Sequence, residues 1–159
     1  MAAHNIRVLL VEDDDIDREA VERHIEEMQL PYILQTAASR GEALEWLREA
    51  VYDVVLLDYM FEDGTGLDLL PHVEETPAIF ITGRGSEQVA VEAMRLGAYD
   101  YLIKDTDRHY LTMLPLTIRN VLARKNAEKA LRESEQRFRA IFEQAADSIV
   151  LVDVETEAL

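Results

Sequence analysis

Short apolar runs alternate with stretches of helical spacing over the first 105 residues, and this alternation limits the fold more than any other feature of the sequence. Each run is five residues or shorter and is mostly rich in Val, Ile and Leu, which is typical of strands buried on both faces. The runs are Val8–Val11, Tyr32–Leu34, Val54–Leu57, Ala78–Ile81 and Tyr101–Ile103. Such an alternation predicts a parallel sheet with helices packed on both of its faces.

The stretches between the runs carry signals for helix starts and ends. Ser39 and Glu42 are spaced as a capping box at the start of the segment "SRGEALEWLREA". Ser86 is a candidate N-cap for a helix over Glu87–Leu96, which Gly97 would end. In the first helical stretch the apolar residues at helical spacing are Ile16, Ala20, Ile25 and Met28.

The sequence after Asp105 changes in character and predicts one long helix. Leu114, Ile118 and Val121 form a first apolar stripe. Pro115 marks either a helix start near this stripe or a kink. A second stripe, offset from the first and spaced alternately by four and three residues, consists of Ala127, Leu131, Ser134, Phe138, Ile141 and Ala145. This narrow seam is typical of a coiled coil.

Composition excludes several classes of function. The chain has 159 residues, of which 48% are hydrophobic, so it can bury one core. Its net charge of −16 argues against nucleic acid and against anionic membrane surfaces as partners. The absence of cysteine excludes disulfides and thiolate chemistry. No apolar run is long enough to span a bilayer and no secretion signal is evident, so we expect a cytoplasmic protein.

Polar residues follow four of the predicted strands at their carboxyl ends. They are Glu12 and Asp13 after the first strand, Asp58 after the third, Thr82 after the fourth and Lys104 after the fifth. Ligands of open parallel sheets bind beyond this edge, so Asp13 and Asp58 converge if the first and third strands are neighbours. Convergent carboxylates suit Mg²⁺. A hydroxyl and an ammonium group can hold phosphoryl oxygens, and a carboxylate can accept the phosphoryl group.

Four motifs carry a resemblance to a known family: "LLVEDD", "VVLLDYMFEDGTG", "IFITGRG" and "GAYDYLIKD". Over residues 5–124 the sequence resembles a two-component response-regulator receiver domain, with the motifs in order and at the usual distances. The resemblance implies an α/β fold, a doubly wound, flavodoxin-like sheet of five parallel strands in the order 2-1-3-4-5, followed here by a long C-terminal helix. Family members often have proline where this chain has Glu62 and Asp105.

The resemblance implies that Asp58 is the phospho-acceptor and that the site uses Mg²⁺. Asp13 and Asp58 would bind the ion directly, and Glu12 would act through water. The backbone carbonyl of Met60 would be the other protein ligand.

The resemblance also implies how the phosphoryl group is held and sensed. Thr82 and Lys104 would contact it, and Tyr101 would turn inward as Thr82 moves. A histidine kinase or a phosphotransfer protein would be the partner that supplies the phosphoryl group.

A second and weaker resemblance begins at Ser134, where the sequence resembles the opening of a PAS sensor domain. We therefore expect a receiver domain over residues 1–124, a helical coiled-coil linker over 125–146 and the truncated start of a PAS-like domain over 147–159. The segment "SIVLVDVETEAL" is predicted as a strand, and the chain as a fragment of a longer protein. The seam predicts a parallel homodimer through Ala127–Ala145, because the downstream domains must emerge at the same end.

Three classes of function fit parts of the sequence. The first is a phospho-acceptor signalling module. The second is a haloacid-dehalogenase-like phosphohydrolase with Asp13 as nucleophile, but the sequence lacks the small run expected after Asp15 and the cap domain of that class. The third is an interaction module that works without phosphorylation, against which the complete set of site residues argues. We expect the signalling module, which is not an enzyme.

Overall fold

The computed structural model, which describes residues 4–83 and 87–157 and side chains as far as residue 148, contains a sheet of five parallel strands. These strands are β1 (Ile6–Val11), β2 (Tyr32–Ala37), β3 (Val54–Asp58), β6 (Ala78–Thr82) and β7 (Asp100–Ile103). β4 (Met60–Phe61) and β5 (Gly64–Thr65) form a separate antiparallel hairpin. The order in the sheet is β2-β1-β3-β6-β7. Counted without the hairpin, the strands run 2-1-3-4-5, which confirms the predicted order.

Helices follow the strands as the sequence predicts. They are α1 (Asp15–Glu27), α2 (Arg40–Glu49), α3 (Leu70–Val73) after a 3₁₀ turn at Gly66–Leu69, α4 (Glu87–Arg95) and α5 (His109–Glu157). Ser39 caps α2 by accepting a hydrogen bond from the Glu42 backbone N–H. The Glu42 carboxylate accepts from the backbone N–H of Ala38 at 3.0 Å, one residue before the position of a standard capping box. Gly97, with φ of 108°, follows α4, and Ser86 lies outside the described residues.

Alternate residues of each central strand pack on opposite faces of the sheet. In β1, Leu10 belongs to a buried cluster with α1 and α5, whereas Leu9 belongs to a cluster with α2, α3 and α4. Leu56 and Leu57 of β3 divide in the same way. The predicted doubly wound architecture is therefore confirmed, and it leaves the carboxyl edge of the sheet open for a site.

The apolar residues at helical spacing in the first helix are buried only away from its ends. Ala20 and Ile25 are buried, but Ile16 is 66% exposed and Met28 is 61% exposed. The helix contacts the core through its middle turns, which also bury Val21. Helical spacing alone does not show where along its length a helix meets the sheet.

The last helix begins after Asp105, as the sequence predicts, but continues further than predicted. Its first residue is His109, so Pro115 lies inside the helix and does not start it. The first apolar stripe, Leu114, Ile118 and Val121, is buried as expected. The helix continues to Glu157, so the strand predicted from Ser148 is wrong as far as the structure describes that segment. A lone strand would leave its backbone groups unpaired, whereas a helix pairs them within the segment.

The chain divides into two compact units, Met1–Leu122 and Ala123–Leu159. The second consists of helix as far as Glu157, and the assignment of residues 147–159 to a PAS-like domain remains a prediction. Within the described ranges, no helix has the length and apolar character needed to cross a membrane.

Gly66 is packed so closely against the end of β3 that a side chain cannot fit. A Cβ atom at this position would lie 2.3 Å from the backbone oxygen of Asp58 and 2.9 Å from Phe80 Cε1. We expect Gly66→Ala to lower the free energy of unfolding in urea by about 1–3 kcal/mol, because backbone or ring atoms must shift. Gly41→Ala is the matched control, since its Cβ would meet nothing closer than 3.8 Å. Unchanged stability in Gly66→Ala would contradict this packing.

Candidate functional site

The register of the sheet brings the predicted site residues to one edge. Val11 of β1 lies opposite Leu57 of β3, so the residues that follow them leave the sheet at the same level. Asp58 is in turn paired with Ile81, the residue before Thr82. Thr82 is paired with Ile103, and its backbone oxygen accepts from the Lys104 backbone N–H at 2.7 Å. Strand pairing therefore sets the backbone positions of Asp58, Thr82 and Lys104.

Three carboxylates converge at this edge as the sequence predicts. Glu12, Asp13 and Asp58 each offer an oxygen that lies within 4.8 Å of the others. Glu12 is 2% exposed, and the other two are partly buried. Carboxylate oxygens at this spacing are the ligands that a hard divalent cation prefers.

Lys104 brings a positive charge to these carboxylates. Its Nζ lies 2.6 Å from Glu12 Oε2 and 3.6 Å from Asp58 Oδ2. It also lies 3.0 Å from Asp17 Oδ2 in the first turn of α1. Asp17 is a contact that sequence reasoning missed, since the sequence presents it only as an acid near a helix start, favoured by the helix dipole.

The two acidic residues after β1 differ in how their oxygens are used. Glu12 Oε2 accepts from Lys104, and Glu12 Oε1 accepts from the Asp14 backbone N–H at 3.1 Å. The Asp13 carboxylate has no hydrogen bond or ion pair among the residues that the structure describes. Asp13 can therefore offer an oxygen that no described protein group uses, whereas both Glu12 oxygens already accept a hydrogen bond.

The pKa values of these groups are shifted because charged side chains are crowded together and partly removed from water. Burial raises the pKa of Glu12 to about 7. Burial also raises the pKa of Asp58, although the nearby charge of Lys104 opposes the change. Burial alone would lower the pKa of Lys104, but its hydrogen bond to Glu12 and the charge of Asp58 raise it above its usual value. A bound cation beside the carboxylates would offset this repulsion.

Thr82 and Tyr101 lie on neighbouring strands with opposite exposure. Thr82 is fully buried, and within the described part of the chain its hydroxyl has no hydrogen-bond partner. An unpaired buried hydroxyl is costly, so Thr82 fits a group that bonds an incoming oxygen. Tyr101 is 41% exposed, whereas Tyr99 packs against the buried core. Of these two tyrosines, Tyr101 is thus the one whose ring is not already packed on the core.

The loop after Asp58 folds back as the β4–β5 hairpin. The Tyr59 backbone N–H donates to Asp58 Oδ1 at 2.8 Å, and the Gly66 N–H donates to the Tyr59 oxygen at 2.8 Å. Met60 follows directly in β4, with a side chain that is 60% exposed. The hairpin was not predicted, although the glycines of "YMFEDGTG" indicate a tight reversal.

Glu62 and Asp105, which stand where family members often have proline, both lie at turns. Glu62 is exposed in the hairpin. Asp105 accepts from the Tyr110 backbone N–H at 3.2 Å and pairs with His109 Nδ1 at 3.0 Å. Asp105 thus holds the first turn of α5 and leaves the carboxylate cluster unchanged.

Comparison with known proteins gives matches to the same family. The model of the response regulator receiver domain matches residues 8–114. The methanogenesis regulatory protein FilR1 of Methanothrix harundinacea is 36% identical over 107 residues, which cover 63% of this chain and 24% of FilR1. The response regulator protein PilR of Pseudomonas aeruginosa is 34% identical over 115 residues, covering 70% of this chain and 25% of PilR. The chain thus spans about a quarter of the length of either relative.

A solved structure of a receiver domain is also similar to this chain. The response regulator receiver domain protein from Clostridium thermocellum superposes with a TM-score of 0.68 at 26% identity, over 77% of this chain and 98% of that one. These matches leave the phosphohydrolase hypothesis, with Asp13 as nucleophile, without support. Receiver domains are signalling modules rather than enzymes. Because the family model spans residues 8–114 and the carboxyl edge carries the expected constellation, the chain belongs to the response regulator receiver domain family.

Proposed function

We propose that this chain receives a phosphoryl group on Asp58 from a histidine kinase or a phosphotransfer protein. The observation that carries the proposal is the convergence of three carboxylates beside Lys104, whose Nζ lies 3.6 Å from Asp58 Oδ2. A carboxylate in such a setting is a nucleophile whose product is stabilised by nearby positive charge.

The two oxygens of Asp58 have different surroundings, which assigns them different tasks. Oδ1 accepts from the Tyr59 backbone N–H, which fixes the orientation of the carboxylate. Oδ2 faces Lys104 and attacks the phosphorus, while the bond between phosphorus and the donor's leaving group breaks. Lys104 and the buried Thr82 hydroxyl then donate hydrogen bonds to the phosphoryl oxygens.

The residues present fit a Mg²⁺ ion. Asp13, Asp58 and the Met60 carbonyl would bind it directly, and Glu12, which accepts from Lys104 and from the Asp14 N–H, would act through water as the family resemblance implies. When bound, the ion neutralises charge that develops on the phosphoryl oxygens. Without it, the carboxylates repel the incoming anion.

The direct test is to incubate the chain with acetyl phosphate and Mg²⁺ and to measure the intact mass. We expect the addition of one phosphoryl group, which peptide mapping places on Asp58. Unchanged mass with a known phosphodonor, or modification elsewhere, would contradict the proposal. Chelation of Mg²⁺ should remove the labelling.

We further propose that Thr82 and Tyr101 form the switch. A phosphoryl group offers the unpartnered Thr82 hydroxyl a strong acceptor. Movement of Thr82 toward that acceptor vacates space that the half-exposed Tyr101 ring can enter. Two discrete packings of this kind transmit a local chemical change to a surface.

The switch predicts a specific pattern of amide exchange. Beryllofluoride, which mimics a phosphoryl group on a carboxylate, should change exchange in Glu87–Arg95, in Asp100–Ile103 and in the first turns of the helix that begins at His109. These segments border Thr82 and Tyr101 in the sheet or follow them. Hydrogen exchange with mass spectrometry measures the effect. Changes confined to Asp13–Gln29 would show that the switch lies elsewhere.

The segment that follows the receiver domain suggests how its state is passed on. We propose that residues 125–146 are a coiled-coil linker that forms a parallel homodimer through Ala127–Ala145 and passes the state of the receiver toward a PAS-like domain. Leu131, Phe138 and Ile141 support this, since each is more than 60% exposed on the single helix. Large apolar side chains in a regular stripe are the seam of a helix–helix contact.

A further inference from the structure

The β4–β5 hairpin is fastened to the start of helix α2 by one side chain. Asp63 Oδ1 accepts from the backbone N–H of Arg40, and Asp63 Oδ2 accepts from that of Gly41, both at 3.1 Å. The partners are 23 and 22 residues away in the sequence, so the contact joins two separate parts of the fold. These N–H groups have no acceptor within their own helix. Their hydrogen bonds hold the pKa of Asp63 below its usual value.

Other contacts hold the two ends of the hairpin: the Gly66 N–H donates to the Tyr59 oxygen at 2.8 Å, and the Thr65 N–H donates to Asp68 Oδ2 at 3.0 Å. Its ladder consists of two residue pairs, Met60 with Thr65 and Phe61 with Gly64. Phe61 is buried and holds one side, whereas Met60 is 60% exposed. A two-stranded hairpin of this length has little stability by itself. The position of the Met60 backbone therefore depends both on these contacts at the hairpin ends and on what holds the turn between β4 and β5.

Asp63 also borders the carboxylate cluster without joining it. A cleft of about 280 Å³ is lined by Asp13, Ala38, Ser39, Glu62 and Asp63. The hairpin turn, the start of α2 and the proposed metal ligand Asp13 thus share one cleft. A shift of the turn relative to α2 would move the Met60 backbone relative to Asp13.

We propose that Asp63 is a positioning residue for the metal site. By holding the turn on two N–H groups of α2, it fixes the hairpin so that the Met60 carbonyl faces the cluster of Asp13 and Asp58. The inference rests on the proposed function, because it takes that carbonyl as a ligand of Mg²⁺. Residues that orient metal ligands typically change metal affinity by about 10–100-fold when they are removed.

Two other roles for Asp63 must be separated from positioning. Asp63 could act only as a cap that stabilises α2, or its negative charge could attract Mg²⁺ over a short distance. Asp63→Asn removes the charge and keeps one oxygen, so it can retain one of the two hydrogen bonds to the α2 N–H groups. Glu62→Gln removes the neighbouring charge and leaves the tether intact. Asp63→Ala removes both the tether and the charge.

The experiment measures the Mg²⁺ dissociation constant of the whole chain by isothermal titration calorimetry. We expect Asp63→Ala to bind about tenfold or more weakly than the unaltered chain. Asp63→Asn and Glu62→Gln should stay within about threefold of it, because Asp63→Asn keeps one hydrogen bond to α2 and Glu62→Gln leaves both Asp63 bonds in place. Two further measurements report on the stability and environment of α2. They are the thermal unfolding midpoint without metal and the fluorescence emission of Trp46, the single tryptophan, which lies on α2.

The outcomes separate the hypotheses. A lower thermal midpoint in Asp63→Ala with unchanged Mg²⁺ affinity would make Asp63 a cap only and overturn the inference. Equal weakening in all three variants would make the effect one of charge and overturn it as well. An unaltered chain that binds no Mg²⁺ would contradict the proposed function itself. Selective weakening in Asp63→Ala supports positioning.

Discussion

Asp58→Asn should eliminate the mass increase that acetyl phosphate and Mg²⁺ produce in the unaltered chain. The side-chain amide keeps the shape of the carboxylate but is not a competent nucleophile toward phosphorus. Glu12 is not a ready replacement, because it is 2% exposed and its Oε2 is held 2.6 Å from Lys104 Nζ. We therefore expect a complete loss of labelling, measured by intact mass and by mapping of the modified peptide.

Asp14→Asn is the matched control for this experiment. Asp14 is exposed and caps α1 by accepting from the Asp17 backbone N–H at 2.9 Å. Asparagine caps a helix about as well, so this variant should label like the unaltered chain. Circular dichroism should show that Asp58→Asn remains folded, since it removes one negative charge from a crowded cluster. Labelling that survives in Asp58→Asn would refute the assignment of the acceptor.

The site could be predicted from the sequence because strand ends fix it. In a parallel sheet, the residue that leaves each strand is set by the apolar run before it, and short apolar runs are easy to recognise. Asp58, Thr82 and Lys104 follow three such runs, and the observed pairings place them at one edge. The hydrogen bonds and distances within the cluster depend on side-chain packing, which no spacing encodes.

The features that were missed depend on contacts between distant segments. Asp17 meets Lys104 across 87 residues, and Asp63 meets α2 across 22. Neither partner is visible from local sequence, because any exposed acid near a turn has the same signature. The strand predicted from Ser148 failed for the related reason that its residues favour a strand only when a second strand pairs with them.

The helix of the second compact unit, Ala123–Leu159, exposes several large apolar side chains. Leu131 is 62% exposed, Phe138 71% and Ile141 68% on the isolated helix. Phe142, which the predicted seam omits, is 65% exposed and stacks on Phe138 with ring centroids 6.4 Å apart. Burial of each such side chain contributes about 1.5–3 kcal/mol. An apolar face of this size is unfavourable in water and favours a helix partner.

We expect the whole chain to be a dimer at micromolar concentration and a chain truncated after Arg124 to be a monomer. Light scattering coupled to size-exclusion chromatography measures the molar mass of both. Phe138→Glu should dissociate the dimer, because it places a charge in the seam. Gln136→Glu adds the same side chain outside the seam and should leave the dimer intact. If the whole chain and the truncated chain both have the molar mass of a monomer, the coiled coil is refuted.

The orientation of the two helices can be tested separately, because the chain contains no cysteine. In a parallel pair, identical seam positions face each other, so Ala127→Cys should form an intermolecular disulfide readily under mild oxidation. In an antiparallel pair, position 127 would face the far end of the seam near Ala145. The two thiols would then lie about 27 Å apart at the helical rise per residue, far beyond bonding distance. Efficient cross-linking at Ala127→Cys therefore supports the parallel dimer. A dimer that resists cross-linking there, yet dissociates in Phe138→Glu, would require the antiparallel arrangement.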